Sequence, residues 1–245
     1  MTANRTTERP MQHADWMTAA DEAYRRLGAL LAHLADEEWR LPTDCTRWSV
    51  HDVVAHVAGE AESTARLPEL LRQAWLGRRL RDGGPLVDGM NAVQVRDRAA
   101  ATPDDLRREL AAAGTRGVRA RRRLPVALRA VPVPFGPPLG TRPLGYLTDR
   151  IYTRDVWMHR VDIARATGRP LLVTAAHDGW IVADVVAEWA AGHGRPFRLT
   201  LTGPGGGTWS EGTGGEQFGL DAVEFCRILS GRAAGTGLLE HAVPF

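Results

Sequence analysis

From Ala14 to Thr167 the apolar residues of this chain return at steps of three and four, and beyond Gly168-Arg169-Pro170 short apolar runs separated by glycine-rich turns replace them. That switch divides the 245 residues into two parts and dictates a different architecture for each. Both parts together are long enough to bury a core without disulfides or other staples.

Four stretches carry the helical period. The first, about Ala14 to Ala35, repeats Trp16, Ala20, Tyr24, Leu27, Leu31 and Leu34 and ends before the turn Leu41-Pro42-Thr43. The second should begin at Ser49, a good N-cap, and run to about Leu76 with Val50, Val53, Val54, Val57 and Ala61 as its core stripe. After the break at Gly83-Gly84-Pro85, a shorter piece (Asp88 to Ala99) leads to a third helix that opens at Thr102-Pro103, carries Leu106 and Leu110, and closes at Pro125. Five prolines and two glycines between Pro132 and Pro143 rule out helix or central strand, so an ordered loop or lid is expected there. Leu144 to Thr167 forms the fourth helix. These elements point to a four-helix bundle over residues 14–169, preceded by a polar, disordered tail over 1–13.

Residues 170–245 read as a small α/β unit, which makes the fold class α+β. The expected elements are a strand at Leu171–Val173, a helix at Ala176–Ala191, strands at Phe197–Thr202 and Thr208–Glu211 around the turn Gly203–Gly207, and a last helix at Leu220–Leu229.

Composition excludes several chemistries. All 31 basic residues are arginine, so mechanisms that need an amine, such as Schiff bases, pyridoxal phosphate or a Walker-type phosphate loop, are closed to this chain. Arginine, alanine and glycine in this abundance point to a GC-rich, actinobacterial source. Cys45 and Cys226, with no metal-binding spacing, are expected to be reduced, inert thiols in the cytoplasm. No apolar run reaches the length of a membrane span, so no membrane association is expected. The net charge of +2 and the lack of interleaved aromatics argue against nucleic-acid binding, and the run Arg116, Arg119, Arg121, Arg122 and Arg123 reads as a solvated helix face.

The residues with chemical potential lie on two helices. Asp155 and His159 are one turn apart and share a face with Asp162, Val156 and Ile163. A carboxylate and an imidazole turned inward are costly unless paired or bound to a metal. Spacing alone fits either a hydrogen-bonded pair or a ligand pair. His56, at the edge of the second helix's stripe, fits a solvated polar face or a third ligand. Together the three would supply two imidazoles and one carboxylate and leave a coordination position open, as a catalytic zinc requires.

Two segments carry a family resemblance. Trp48-Ser-Val-His-Asp-Val-Val-Ala-His56, preceded by Leu41-Pro-Thr-Asp-Cys-Thr-Arg47, resembles the second-helix signature of the mycothiol-dependent maleylpyruvate isomerase family, within the DinB-like four-helix superfamily. The stretch from Tyr152 to Gly168 resembles its fourth-helix signature. The resemblance implies a divalent metal, with zinc the expected ion, held by His56, Asp155 and His159, and mycothiol as the thiol cofactor. It also implies a small electrophilic substrate. At Asp155 this chain carries the shorter acid where the isomerase has Glu. Asp162 falls on an acidic position of the motif and would orient His159.

Phe225-Cys-Arg-Ile-Leu-Ser-Gly-Arg232 resembles the end of the family's second domain, which is similar to sterol carrier proteins, and this implies a catalytic role for Arg232. The expected activity is therefore cis-trans isomerisation of an unsaturated substrate by a metal-activated mycothiol thiolate. A mycothiol S-transferase, a metal hydrolase and a non-catalytic metal- or ligand-binding protein are the alternatives.

Overall fold

A computed structural model describes residues 10–136 and 140–245. Contacts divide the chain into a unit spanning His13–Pro170 and a second containing Leu171–Phe245 together with residues 10–12. Most of the expected tail, residues 1–9, and the tip of the proline-rich segment, 137–139, lie outside the described residues.

The first unit opens with α1 (His13–Leu31), a 3-10 turn (Asp36–Arg40) and α2 (Val50–Ala65). Ser49 caps α2 reciprocally: its hydroxyl accepts from the Asp52 amide while the Asp52 carboxylate accepts from the Ser49 amide. The helix expected to reach Leu76 ends at Ala65. Arg66 is extended, and a new helix, α3 (Leu67–Leu80), starts with Pro68 in its first turn. Proline is tolerated there because no amide is needed, whereas inside a continuous helix its ring would collide with the preceding turn. The chain continues through α4 (Leu86–Asp97), α5 (Pro103–Arg122) and a single turn, α6 (Val126–Arg129).

The proline-rich segment is a two-stranded antiparallel ribbon, β1 (Pro132–Gly136) with β2 (Gly140–Pro143), rather than a loop. Both strands are edges, which is where prolines can sit. A π-helical turn (Tyr146–Ile151) then leads into α7 (Tyr152–Thr167), which stops at Gly168 in the left-handed conformation (φ 66°) that glycine adopts without strain. Helices α1, α2, α5 and α7 pack around one core of Leu27, Leu31, Val50, Val53, Val54, Val57, Leu106, Leu110, Val156 and Ile163. The pair α3–α4 packs on itself and lays α4 against α2.

In the second unit, α8 (Asp178–His193) precedes a three-stranded sheet of β3 (Phe197–Thr202), β4 (Gly207–Glu211) and β5 (Glu216–Asp221), in the order β4-β3-β5. β3 pairs antiparallel with β4 and parallel with β5, placing Leu199 opposite both Trp209 and Phe218. Phe197, Leu199 and Leu201 alternate inward. α9 (Ala222–Leu229) follows at once, capped by Asp221. Two expectations fail here. Leu171–Val173 forms no strand, and the last helix starts at Ala222 rather than Leu220, because Leu220 and Asp221 end an unexpected strand, β5, whose pairing with β3 is non-local and leaves only weak alternation around Gly219.

Candidate metal centre

Helix α2 contributes His56 and α7 contributes Asp155, His159 and Asp162. The capped start of α2 fixes the rotation of that helix, and the i, i+4 spacing places Asp155 and His159 one above the other. Both histidines are 3% exposed and Asp162 is fully buried. The structure brings the three expected ligands together: His56 Nε2 lies 3.4 Å and His159 Nε2 3.3 Å from the two oxygens of Asp155. One ligand atom from each residue falls within 4.8 Å of the others. Four ligands held about 2.0–2.1 Å from a tetrahedral zinc sit about 3.3–3.4 Å from one another. The two separations are of that size, each ending on a different oxygen of Asp155.

The inward nitrogens are fixed by a chain of hydrogen bonds that starts at a backbone carbonyl. Gly59 O can only accept, so the Gln73 amide must turn its NH2 toward it (3.0 Å). Gln73 then offers its oxygen to Gln94 Nε2 (2.8 Å), and Gln94 offers its own oxygen to His56 Nδ1 (2.8 Å). His56 therefore carries its proton on Nδ1 and directs a lone pair from Nε2 at Asp155. Asp162 Oδ2 does the same for His159, accepting from Nδ1 at 2.9 Å. Gly59 is required for this approach, since a Cβ there would lie 2.7 Å from the Gln94 side chain.

Two nitrogen lone pairs and a carboxylate thus face one another, and buried Asp155 Oδ2 has no hydrogen-bond partner. The arrangement calls for a cation, and the donor set of two imidazoles and a carboxylate fits a divalent ion. Without an ion, a proton on His159 Nε2 answers the same demand for positive charge. Burial by itself pushes Asp155 up, yet the facing His159 and His56 hold it well below the usual carboxylate range. Burial opposes charge on His159, and Asp155, Asp162 and Cys45 outweigh it and raise this imidazole well above its ordinary value.

Trp48 forms one wall, its ring centroid 4.8 Å from that of His56 and 6.0 Å from that of His159. The turn from Thr43 to Trp48, closed by Thr43 N–H to Trp48 O, brings Cys45 in beside it. Cys45, expected to be a reduced, inert thiol, is a half-buried thiol whose Sγ donates to Asp162 Oδ2 at 3.4 Å. Arg121, expected on a solvated face, is buried and donates to Thr148 O and Thr153 Oγ1. Gln73 and Gln94 were not signalled by any motif, because isolated glutamines in helical patterns carry no period. Arg232 follows α9, half-buried, in the second unit.

The model of the mycothiol maleylpyruvate isomerase N-terminal domain matches residues 20–164, more than half of the chain. The chain belongs to this family. Two uncharacterized proteins of Mycobacterium tuberculosis, from strains CDC 1551 and H37Rv, are each 29% identical to it over 240 residues, covering 89% of this chain and 85% of their own length. Crystal structures of the mycothiol-dependent maleylpyruvate isomerase and of a mutant of it superpose with a TM-score of 0.60 at 18% identity, covering 91% of both chains. That likeness shows the α+β fold with its helical N-terminal part. Among the described residues of this family member no helix is long and apolar enough to cross a membrane.

Proposed function

We propose that this protein is a metal-dependent enzyme that uses mycothiol as its thiol cofactor and acts on a small, electrophilic, unsaturated molecule, catalysing cis-trans isomerisation. The observation that carries the reading is the convergence of His56, Asp155 and His159, with both ring orientations fixed from behind, in a chain of the mycothiol maleylpyruvate isomerase family. Three protein ligands leave a fourth position for a thiol sulfur. A divalent ion, zinc in our reading, would lower the thiol's proton affinity and supply a thiolate nucleophile at neutral pH.

The chain's own residues divide the remaining work. His56 and His159 would hold the ion through Nε2 and Asp155 through its carboxylate. Gln94 and Asp162 keep the rings aimed, and Trp48 shields one side from water. Arg232 is assigned to a substrate carboxylate, which its guanidinium can grip bidentately while offsetting charge that develops as the double bond is attacked. When bound, the thiol would supply a nucleophile that adds reversibly to a carbon-carbon double bond, which is the chemistry that cis-trans isomerisation needs.

The test is turnover of maleylpyruvate by zinc-loaded protein with and without mycothiol, followed by product mass. The trans isomer with mycothiol recycled supports the reading. A product that retains the mass of mycothiol makes the protein an S-transferase instead, and turnover without thiol contradicts both.

A further inference from the structure

Glu60 lies on α2 four residues beyond His56, and the ligand set does not use it. It is 7% exposed, and its Oε1 is sealed from solvent with no hydrogen-bond partner. A buried carboxyl oxygen left without a donor is costly, and a residue retained for packing alone would not incur that cost. The groups that act on it come from three helices: Asp155, His159 and Tyr152 on α7, Arg121 on α5 and Tyr24 on α1. Arg121 spends its guanidinium on Thr148, Asp149 and Thr153 and makes no hydrogen bond to Glu60. Toward this part of α2, α3 and α4 present the amides of Gln73 and Gln94, and the Arg98 guanidinium at the end of α4 lies against Gly59 while it pairs with Glu109.

We propose that Glu60 is the base of this site, taking the proton of the thiol that binds at the open position of the metal held by His56, Asp155 and His159. The inference rests on the thiol-using reading above. The S–H bond breaks, its electron pair stays on sulfur, and an O–H bond forms on the carboxylate, so nothing is oxidised or reduced. When the thiol leaves, the proton returns to sulfur.

Charge balance favours this route. With Glu60 ionised, Asp155, Asp162 and Glu60 already set three negative charges against one dication, and a thiolate would add a fourth. Proton uptake at Glu60 keeps the total unchanged. Burial raises the proton affinity of Glu60 well above that of an ordinary carboxyl, the direction a base for a thiol needs.

Calorimetric titration of mycothiol into zinc-loaded protein near neutral pH, repeated in buffers of different ionisation enthalpy, counts the protons released. The wild type should release well under one proton per thiol bound. Glu60→Gln should release about one, because a free thiol is protonated at this pH, with its zinc content unchanged. Glu60→Asp, which keeps a carboxylate, should return toward the wild-type count. Equal counts in wild type and Glu60→Gln overturn the proposal. So does a full proton released by the wild type itself, a result that needs no variant to fold. Wild-type protein that binds no mycothiol fails at the thiol-using reading, and the role of Glu60 falls with it.

Discussion

The two units build their interiors on different principles. In residues 171–245 the centre is Trp189, edge-on to Phe197 at 4.8 Å and Phe225 at 5.4 Å, with its indole N–H given to Leu238 O. Two of the buried polar groups there have partners close in sequence: Asp178 accepts from Thr174 N–H at the start of α8, and Arg227 reaches Glu224. In residues 13–170 an apolar core of similar kind surrounds a line of polar side chains, joined over long stretches of sequence from Gln73 through Gln94 to His56 and within one turn of α7 from Asp162 to His159 facing Asp155. One interior is specified by buried area, the other by which atom donates and which accepts. The second kind is retained where a charge or an ion must be held in place.

The comparison is easiest to break at its largest element. Trp189→Ala removes a fully buried ring and should cost about 3–5 kcal/mol in chemical denaturation, while the fraction that remains folded keeps its metal. Loss of metal from that folded fraction would mean that the two interiors are not independent in kind. Gln94→Leu tests the other side. It keeps a side chain of similar size but removes the acceptor for His56 Nδ1, so metal affinity measured against a competing chelator should fall by about 10–100-fold, and metal-free protein should lose about 1–3 kcal/mol in denaturation because His56 Nδ1 and Gln73 Oε1 are left buried without partners.

A smaller effect follows from pH. His159 is raised above its ordinary value of 6.5, so its contribution to the stability of metal-free protein is full below that value and is lost as pH rises through the raised one. Asp155 is lowered below 3.8, so its contribution is full above that value and is lost as pH falls through the lowered one. The melting temperature of metal-free protein should therefore decline from neutral into alkaline pH, and bound zinc should remove the decline. Identical profiles with and without chelator would contradict the assignment of these two groups.

What could be read from the sequence was local. Ser49 as a cap, the stripe Val50, Val53, Val54 and Val57, the shared face of Asp155 and His159, and the stop at Gly168 all follow from relations within one or two turns, and the structure contains each of them. What was missed depends on residues far apart. The parallel partner of β3 is 19 residues along the chain, Phe197 to Glu216, and leaves little trace in the pattern of β5. The tie from Gln94 to His56 spans 38 residues, and that from Cys45 to Asp162 spans 117. Glu60 belongs to the same class, since an acid one turn past a histidine looks like a polar face until its surroundings are known. Pro68 is the exception: it was a local signal, and the break at Arg66 follows from it.

The account turns on a metal held by two imidazoles and one carboxylate. Its most direct test is titration of zinc into metal-stripped protein, compared with a variant carrying His56→Ala and His159→Ala together and with Arg232→Ala, each checked for folding by circular dichroism. The account predicts about one tightly held ion per chain in the wild type and in Arg232→Ala, and none in the double histidine variant. A folded double variant that binds zinc as tightly as the wild type would contradict it.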